Sequence, residues 1–403
     1  MTIGGFYKFP PITKTKKTKK MAMDKYTKWV ACWGNATSIT DRKECVYAKN
    51  LTLRYPVLMC FSGRKLRFRF SNLTGTEAIT INKAFVAKKG SVPYSSIAIT
   101  FAGSTEVTIA PGKETESDEV EINVCRGETV EVSMYMADCT QMNAGTLITG
   151  PLSKGQYSYG DYATSETLPL DLTRNTNWFF FLNTIDILTE EKNRALICYG
   201  DSITAQSWPD YLSLRCMEQG YENVAIIRRA VSGTRILRQY DCITYQAYGL
   251  KGETRFPIEM NVAGAEAVII QHGINDIIHP VGREVNPFRP WSDMPTCEEL
   301  EKGVEDIYVS HARSLGLKVW AGTLVPIYGW RTYNENRDAM RQEFNRWLMS
   351  SPLFDGCVDF DKAVRDPENP VSFAPGFDSG DHLHPSEKAY AAMAACVPEE
   401  LLK

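Results

Sequence analysis

Ser202, Asp381 and His384 combine residue types and settings that suit acyl-transfer chemistry. Such a reaction needs a nucleophile, a base to take its proton and a group to orient that base. Ser202 stands in Leu196-Ile-Cys-Tyr-Gly-Asp-Ser-Ile-Thr204, where the apolar run Ala195–Tyr199 breaks at Gly200. A residue just past the carboxyl end of a strand lies where open α/β sheets place reactive groups. Serine and aspartate also cap ordinary turns, so this stretch alone leaves both roles open. Asp381 and His384 lie three apart in Asp381-His-Leu-His-Pro385, near the spacing of one helical turn. A carboxylate reaching Nδ1–H leaves Nε2 free as a base. The plain alternative is a capped turn with two surface histidines.

Donors for a developing oxyanion are also required. Asn275, in Gly273-Ile-Asn-Asp276, follows the apolar run Ala267–His272, and its amide can donate. Gly233, in Ala230-Val-Ser-Gly-Thr234, follows the run Asn223–Ile227 and can offer a backbone N–H. Each also reads as a common turn. Of the five histidines, His311 falls mid-helix in a polar setting, while His272 and His279 are candidates to line a pocket. Arg341 and Asn345, four apart on a helix, fit either a pocket wall or a solvated face.

The elements that must position these residues change character along the chain. From about Lys28 to Leu170 short segments alternate with period two, as in Leu66, Phe68 and Phe70 against Lys65, Arg67 and Arg69. This predicts an antiparallel β-sandwich, jelly-roll-like. Residues Gly150–Arg174 read as a connection, and Asn177–Leu188 as strand again. After the charged break Glu190–Arg194, apolar strands at Ala195–Tyr199, Asn223–Ile227, Ala267–His272, Lys318–Leu324 and Cys357–Phe360 alternate with helical patterns at Ser207–Gln219, Thr296–Leu315 and Glu335–Met349. Ser386 caps a last helix. Such alternation predicts a three-layer α/β/α domain with a parallel sheet. The expected division is a basic extension over 1–24, a β-sandwich with linker over 25–190, and the α/β domain over 191–403.

Composition narrows the classes. The 43% apolar and 23% charged fractions are those of a globular protein, and the net charge of −3 gives no basic surface for nucleic acid. No apolar run approaches the roughly 20 residues of a membrane span. Eleven scattered cysteines without CxxC spacing suggest free thiols in a reducing compartment. The lysines between Lys14 and Lys20 precede no apolar segment, so no signal peptide is read and a cytoplasmic location is expected. No ligand cluster calls for a metal or cofactor.

The ordered blocks Gly200-Asp-Ser-Ile-Thr204, Gly233, Gly273-Ile-Asn-Asp276 and Asp381-His-Leu-His384 together resemble the SGNH (GDSL-type) esterase and acylhydrolase superfamily across about Ala195–Lys403. Trp29-Val-Ala-Cys-Trp-Gly34 and Lys65-Leu-Arg-Phe-Arg-Phe-Ser-Asn72 look like the β-domain that precedes the hydrolase in one two-domain branch. The resemblance implies an SGNH-like, flavodoxin-like fold. It implies Ser202 as nucleophile, His384 as base and Asp381 as its orienter. The oxyanion hole it implies is made by the N–H groups of Ser202 and Gly233 with the Asn275 amide. No G-x-S-x-G elbow surrounds Ser202, which sets it apart from the α/β-hydrolase fold.

The loops Leu237–Met260 and Ile277–Pro295 are expected to rim the pocket, bringing Tyr240, Tyr245, Tyr248, Phe288 and Trp291 near it. Trp208 and Trp330 lie near other strand ends. With no long apolar loop to serve as a lid, the expected substrate is a small-molecule or carbohydrate ester with a short acyl group. The alternatives are a lipase or lysophospholipase-like acylhydrolase and a silent carbohydrate-binding protein.

Overall fold

The computed structural model of the chain describes residues 25–36, 38–39, 46–240 and 248–403. The lysine-rich residues 1–24 and Tyr245 lie outside them. The first region is built on two large antiparallel sheets sharing one core, with three smaller sheets of two or three strands beside them. One joins Lys28–Gly34, Leu182–Thr189, Gly63–Ser71 and Glu114–Glu116 in that order, with Val120–Val124 also on Gly63–Ser71. The other runs Thr173–Thr176, Gly155–Tyr159, Leu51–Leu58, Thr129–Met136, Lys83–Lys88 and Ser96–Ile99. The period-two pattern explains the packing: Leu66, Phe68 and Phe70 are fully buried, facing a core that also holds Leu53, Tyr55 and Val57. Each such side chain contributes about 1.5–3 kcal/mol by leaving water.

One segment differs from the sequence expectation. Gly150–Arg174, read as a connection, supplies the strand Gly155–Tyr159 and starts its partner Thr173–Thr176 at the sheet edge. Only one side of this edge pair meets the rest of the sheet, so its residues remain polar and half exposed, and no apolar alternation marks them.

From Arg194 onward the sheet is parallel and five-stranded. Its order is Val224–Ala230, Arg194–Gly200, Ala265–Gln271, Lys318–Gly322 and Gly356–Val358, a 2-1-3-4-5 arrangement. Helices lie between, chiefly Trp208–Glu218, Cys297–Gly303 continuing through a π-helical turn to Ser314, Glu335–Ser350 and Glu387–Cys396. Thr296 starts the third strand's following helix with a full capping box to Glu299. Ser386 caps the last helix as expected, accepting from the N–H of Ala389. Ser207 does not cap by its side chain. It sits in helical geometry and donates instead to Glu387 Oε1 at 2.8 Å, while Tyr211 donates to Glu387 Oε2 at 3.0 Å. Glu387 thereby ties the final helix to the segment after Ser202.

Arg229, fully buried, joins the two regions. From the edge strand of the parallel sheet it donates to the carbonyls of Asn35 at 2.5 Å and Asn183 at 3.2 Å, and to Thr184 Oγ1 at 2.7 Å. Arg341 and Asn345 are not a solvated face: both are buried. Arg341 pairs with Asp338 at 2.8 Å and Asp361 at 2.6 Å, and Asn345 bonds both the N–H and the carbonyl of Leu324. They hold the end of the fourth parallel strand. Among the described residues no helix is long and apolar enough to cross a membrane.

Candidate active site

The site starts from register. Gly200 is level with Ala230 on one side and Gln271 on the other, so the first three parallel strands end together. Ser202, Gly233 and Asn275 follow those ends directly, at the point where the strand order reverses, which is where such sheets bind ligands. Gly200 is required by space: a Cβ there would fall 2.3 Å from Thr204 Oγ1 and 2.6 Å from the Gln271 carbonyl. Asp201, entirely buried, accepts the N–H of Ile203 at 3.0 Å and fixes the turn in which Ser202 opens the short helix Ser202–Ala205. Burial pushes the Asp201 carboxyl up to about 7.

Across 182 residues of sequence, His384 Nε2 comes to 2.8 Å from Ser202 Oγ. His384 Nδ1 is 2.6 Å from Asp381 Oδ2. The other carboxylate oxygen accepts the backbone N–H groups of Leu383 at 3.0 Å and His384 at 2.8 Å. Burial works against ionisation of Asp381, but the hydrogen bonds from His384 outweigh it and hold the carboxyl below its ordinary value. An ionised Asp381 takes Nδ1–H, leaving Nε2 to accept the Ser202 hydroxyl proton. The edge of Trp330 faces the His384 ring, with centroids 6.5 Å apart at 88°.

Asn275 is buried in the short helix Ile274–Ile278, and its Nδ2 donates to the Thr234 carbonyl at 3.0 Å. One amide proton therefore links it to the Gly233 loop and one remains. Gly233 has φ +78°, and a Cβ there would fall 2.4 Å from Tyr248 Cδ1. Both facts favour glycine at that position.

The remaining histidines divide. His272 does not line the pocket: it is a core residue, with Nδ1 2.7 Å from Tyr308 Oη and Nε2 near Thr234 Oγ1 at 2.9 Å and its carbonyl at 3.0 Å. His279 is buried at the end of the helix carrying Asn275 and stacks on Tyr248, centroids 5.2 Å apart. His382, at φ +65°, pairs through Nδ1 with Asp378 at 2.5 Å beside Asp381. Trp208 is core and Tyr240 is buried, whereas Phe288 and Trp291 are half exposed. Among the described residues no three acidic, histidine or cysteine side chains group to hold a metal, and all nine described cysteines are free.

Sequence reasoning gave no role to Arg255, which donates to the Gly200 carbonyl at 2.8 Å and lies 4.3 Å from the centre of the Tyr199 ring. It also passed over Asp276, which accepts the N–H groups of Ile236 at 2.8 Å and Leu237 at 3.0 Å. Asp201 and Asp276 each belong to a block singled out above, and a carboxylate beside a strand end is a signal for a backbone cap. Arg255 carries none, because its partner is 55 residues away.

The parallel sheet in 2-1-3-4-5 order is a flavodoxin-like frame, and a hydrogen-bonded Ser–His–Asp series stands at its carboxyl edge. Residues 196–397 match the family of GDSL-like lipases and acylhydrolases, and the chain belongs to that family. It is a hydrolase acting on esters. Similar solved structures include Axe2, an acetylxylan esterase from Geobacillus stearothermophilus, at 17% identity over 52% of this chain and 96% of that one, with a TM-score of 0.38. Another is LAE5, an alpha/beta hydrolase enzyme from the metagenome of Lake Arreo, Spain, at 16% identity over 50% and 92%, also with a TM-score of 0.38. No curated protein matches the chain.

Proposed function

We propose that the protein is a serine esterase cleaving short-chain carboxylic esters, with O-acetyl groups on carbohydrate as the favoured class, through an acyl-enzyme on Ser202. The observation that carries this reading is His384 standing between Ser202 Oγ at 2.8 Å and Asp381 Oδ2 at 2.6 Å. Ser202 Oγ attacks the ester carbonyl as its proton passes to His384 Nε2. The tetrahedral oxyanion is met by the N–H groups of Ser202 and Gly233 and by the free amide proton of Asn275. Collapse breaks the bond to the alkoxy oxygen, which leaves as the alcohol with the proton from His384. Water then repeats the sequence: His384 takes its proton, hydroxide adds to the acyl carbon, the bond to Ser202 Oγ breaks as His384 returns the proton to that oxygen, and the carboxylic acid is released. Asp381 stays ionised throughout and holds the imidazole.

Support for a short acyl group comes from Tyr248, whose ring occupies the space beside Gly233. The test is hydrolysis of p-nitrophenyl acetate, butyrate and octanoate by wild type and Ser202→Ala. Acetate turned over fastest by wild type and not by the variant is expected. A preference for octanoate would overturn the short-chain reading, and turnover surviving in Ser202→Ala would overturn the serine mechanism.

A further inference from the structure

One wall, around His279 at the end of the helix that carries Asn275, is built of arginines. Arg235, Arg289, Arg331 and Arg337 surround His279; burial first, and then their charges, hold its imidazole well below its ordinary value. Arg289 and Arg337 are buried, 9% and 3% exposed. Arg289 Nε donates to the His279 carbonyl at 2.5 Å, and Arg337 donates to the carbonyls of Ile277 and Pro280. Arg331, exposed, rests 4.4 Å from the centre of the Trp330 ring. Carbonyl oxygens satisfy hydrogen bonds but carry no full charge, so they do not themselves cancel the positive field.

Among the described residues, carboxylates balance this cluster only in part. Among the described residues only Arg235 has one, Asp293 at 3.2 Å. Asp276 is held by backbone N–H groups, Glu284 accepts from the Trp291 indole at 2.8 Å, and Asp338 pairs with Arg341. Burial together with the charge of Arg289 pulls Arg337 down to about 10. Buried cations without a counter-ion are costly. Two buried nitrogens of the same wall, His279 Nδ1 and Arg337 Nε, also have no hydrogen-bond partner.

The wall is joined to the reacting groups on two sides. His279 closes the helix that carries Asn275 and stacks on Tyr248 beside Gly233. Arg331 lies on Trp330, whose edge faces His384.

We infer that this wall is an anion subsite: the ester cleaved here carries a carboxylate or phosphate group, seated against the exposed Arg331 with the charges of the buried Arg289 and Arg337 behind it. The statement deepens the esterase reading by naming the charge of the substrate, and it rests on that reading for the reaction. A charge-assisted, bidentate arginine contact gives such a group both affinity and orientation. A neutral ester receives neither.

Two measurements separate the subsite from the reaction. The first is calorimetric binding of 4-hydroxybenzoate, 4-hydroxyphenyl phosphate and neutral methyl 4-hydroxybenzoate to wild type and Arg331→Gln. The second is kcat/KM for the acetyl esters of the same three compounds. One or both anions should bind wild type about tenfold more tightly than the neutral compound, and R331Q should bring that ratio close to one. The kcat/KM ratio of anionic to neutral ester should fall in parallel. Preference for one anion identifies carboxylate or phosphate as the natural group. Neutral binding equal to or tighter than both anions, or a ratio unmoved by R331Q, overturns the subsite. Anion binding without turnover of any acetyl ester keeps the subsite and removes the esterase reading.

Discussion

His384 donates its own backbone N–H to Asp381 at 2.8 Å while its Nδ1 lies 2.6 Å from the other oxygen of the same carboxylate. One aspartate thus fixes both where the histidine backbone turns and which way its ring points. Two oxygens do two separable jobs. Asp381→Asn, with its oxygen kept on the backbone N–H groups, presents an amide donor to the ring in place of the carboxylate oxygen. It should lower kcat by on the order of 10³–10⁴ through the wrong tautomer, with the urea midpoint little changed. Asp381→Ala should lose activity and also lower the urea midpoint, because Leu383 and His384 lose their cap. Equal kcat in wild type and D381N would show that Asp381 is only a turn residue.

Asn275 has one amide proton engaged by Thr234 and one without an acceptor among the described residues. Asn275→Ala should reduce kcat by about 10²–10³, the usual loss for one oxyanion donor, with KM changing far less. Steady-state kinetics on p-nitrophenyl acetate decides this. A near-wild-type kcat would leave Asn275 a structural link to the Gly233 loop and nothing more.

Much of this site could be read from sequence because its positions are local. An apolar run followed by Gly200, Asp201 and Ser202 marks a strand end wherever the strand pairs, and Ser386 before an apolar-faced helix marks its start. What stayed hidden depends on distant partners. His272 ends an apolar strand as a pocket residue would, and only the distant Tyr308 and Thr234 make it a core residue. Arg341 and Asn345 look solvated until Asp361 and Leu324 are placed opposite them. The edge strands within Gly150–Arg174 lack alternation because one side of the pair stays wet.

Asp201 gives stability a pH dependence whose sign can be worked out. Its carboxyl is about 7 in the fold, raised by burial, against an ordinary value of 3.8. A raised acid binds more protons folded than unfolded, so its contribution is complete below about 4 and is lost as pH climbs through about 7. Asp201→Asn can still accept from Ile203 but cannot ionise. The urea midpoint of wild type minus that of D201N should therefore fall between pH 4 and pH 7. A difference independent of pH would mean that Asp201 is not perturbed.

Arg229 links the parallel sheet to Asn35, Asn183 and Thr184 of the antiparallel region. Removing it takes one charged donor from each of these three buried acceptors and one cation from beside Glu259, 3.5 Å from its Nε. Arg229→Ala should cost about 3–5 kcal/mol in urea unfolding, in the range for breaking a buried charged contact by removing one partner. A loss under about 1 kcal/mol would show that the two regions are held together elsewhere.

The most direct test of the central claim is covalent. Wild type, Ser202→Ala and His384→Ala would be treated with a fluorophosphonate and their intact and peptide masses measured. A single adduct on Ser202 of wild type, none on S202A and much slower labelling of H384A are predicted. Equal labelling of S202A, or an adduct on any other residue of wild type, would contradict the account.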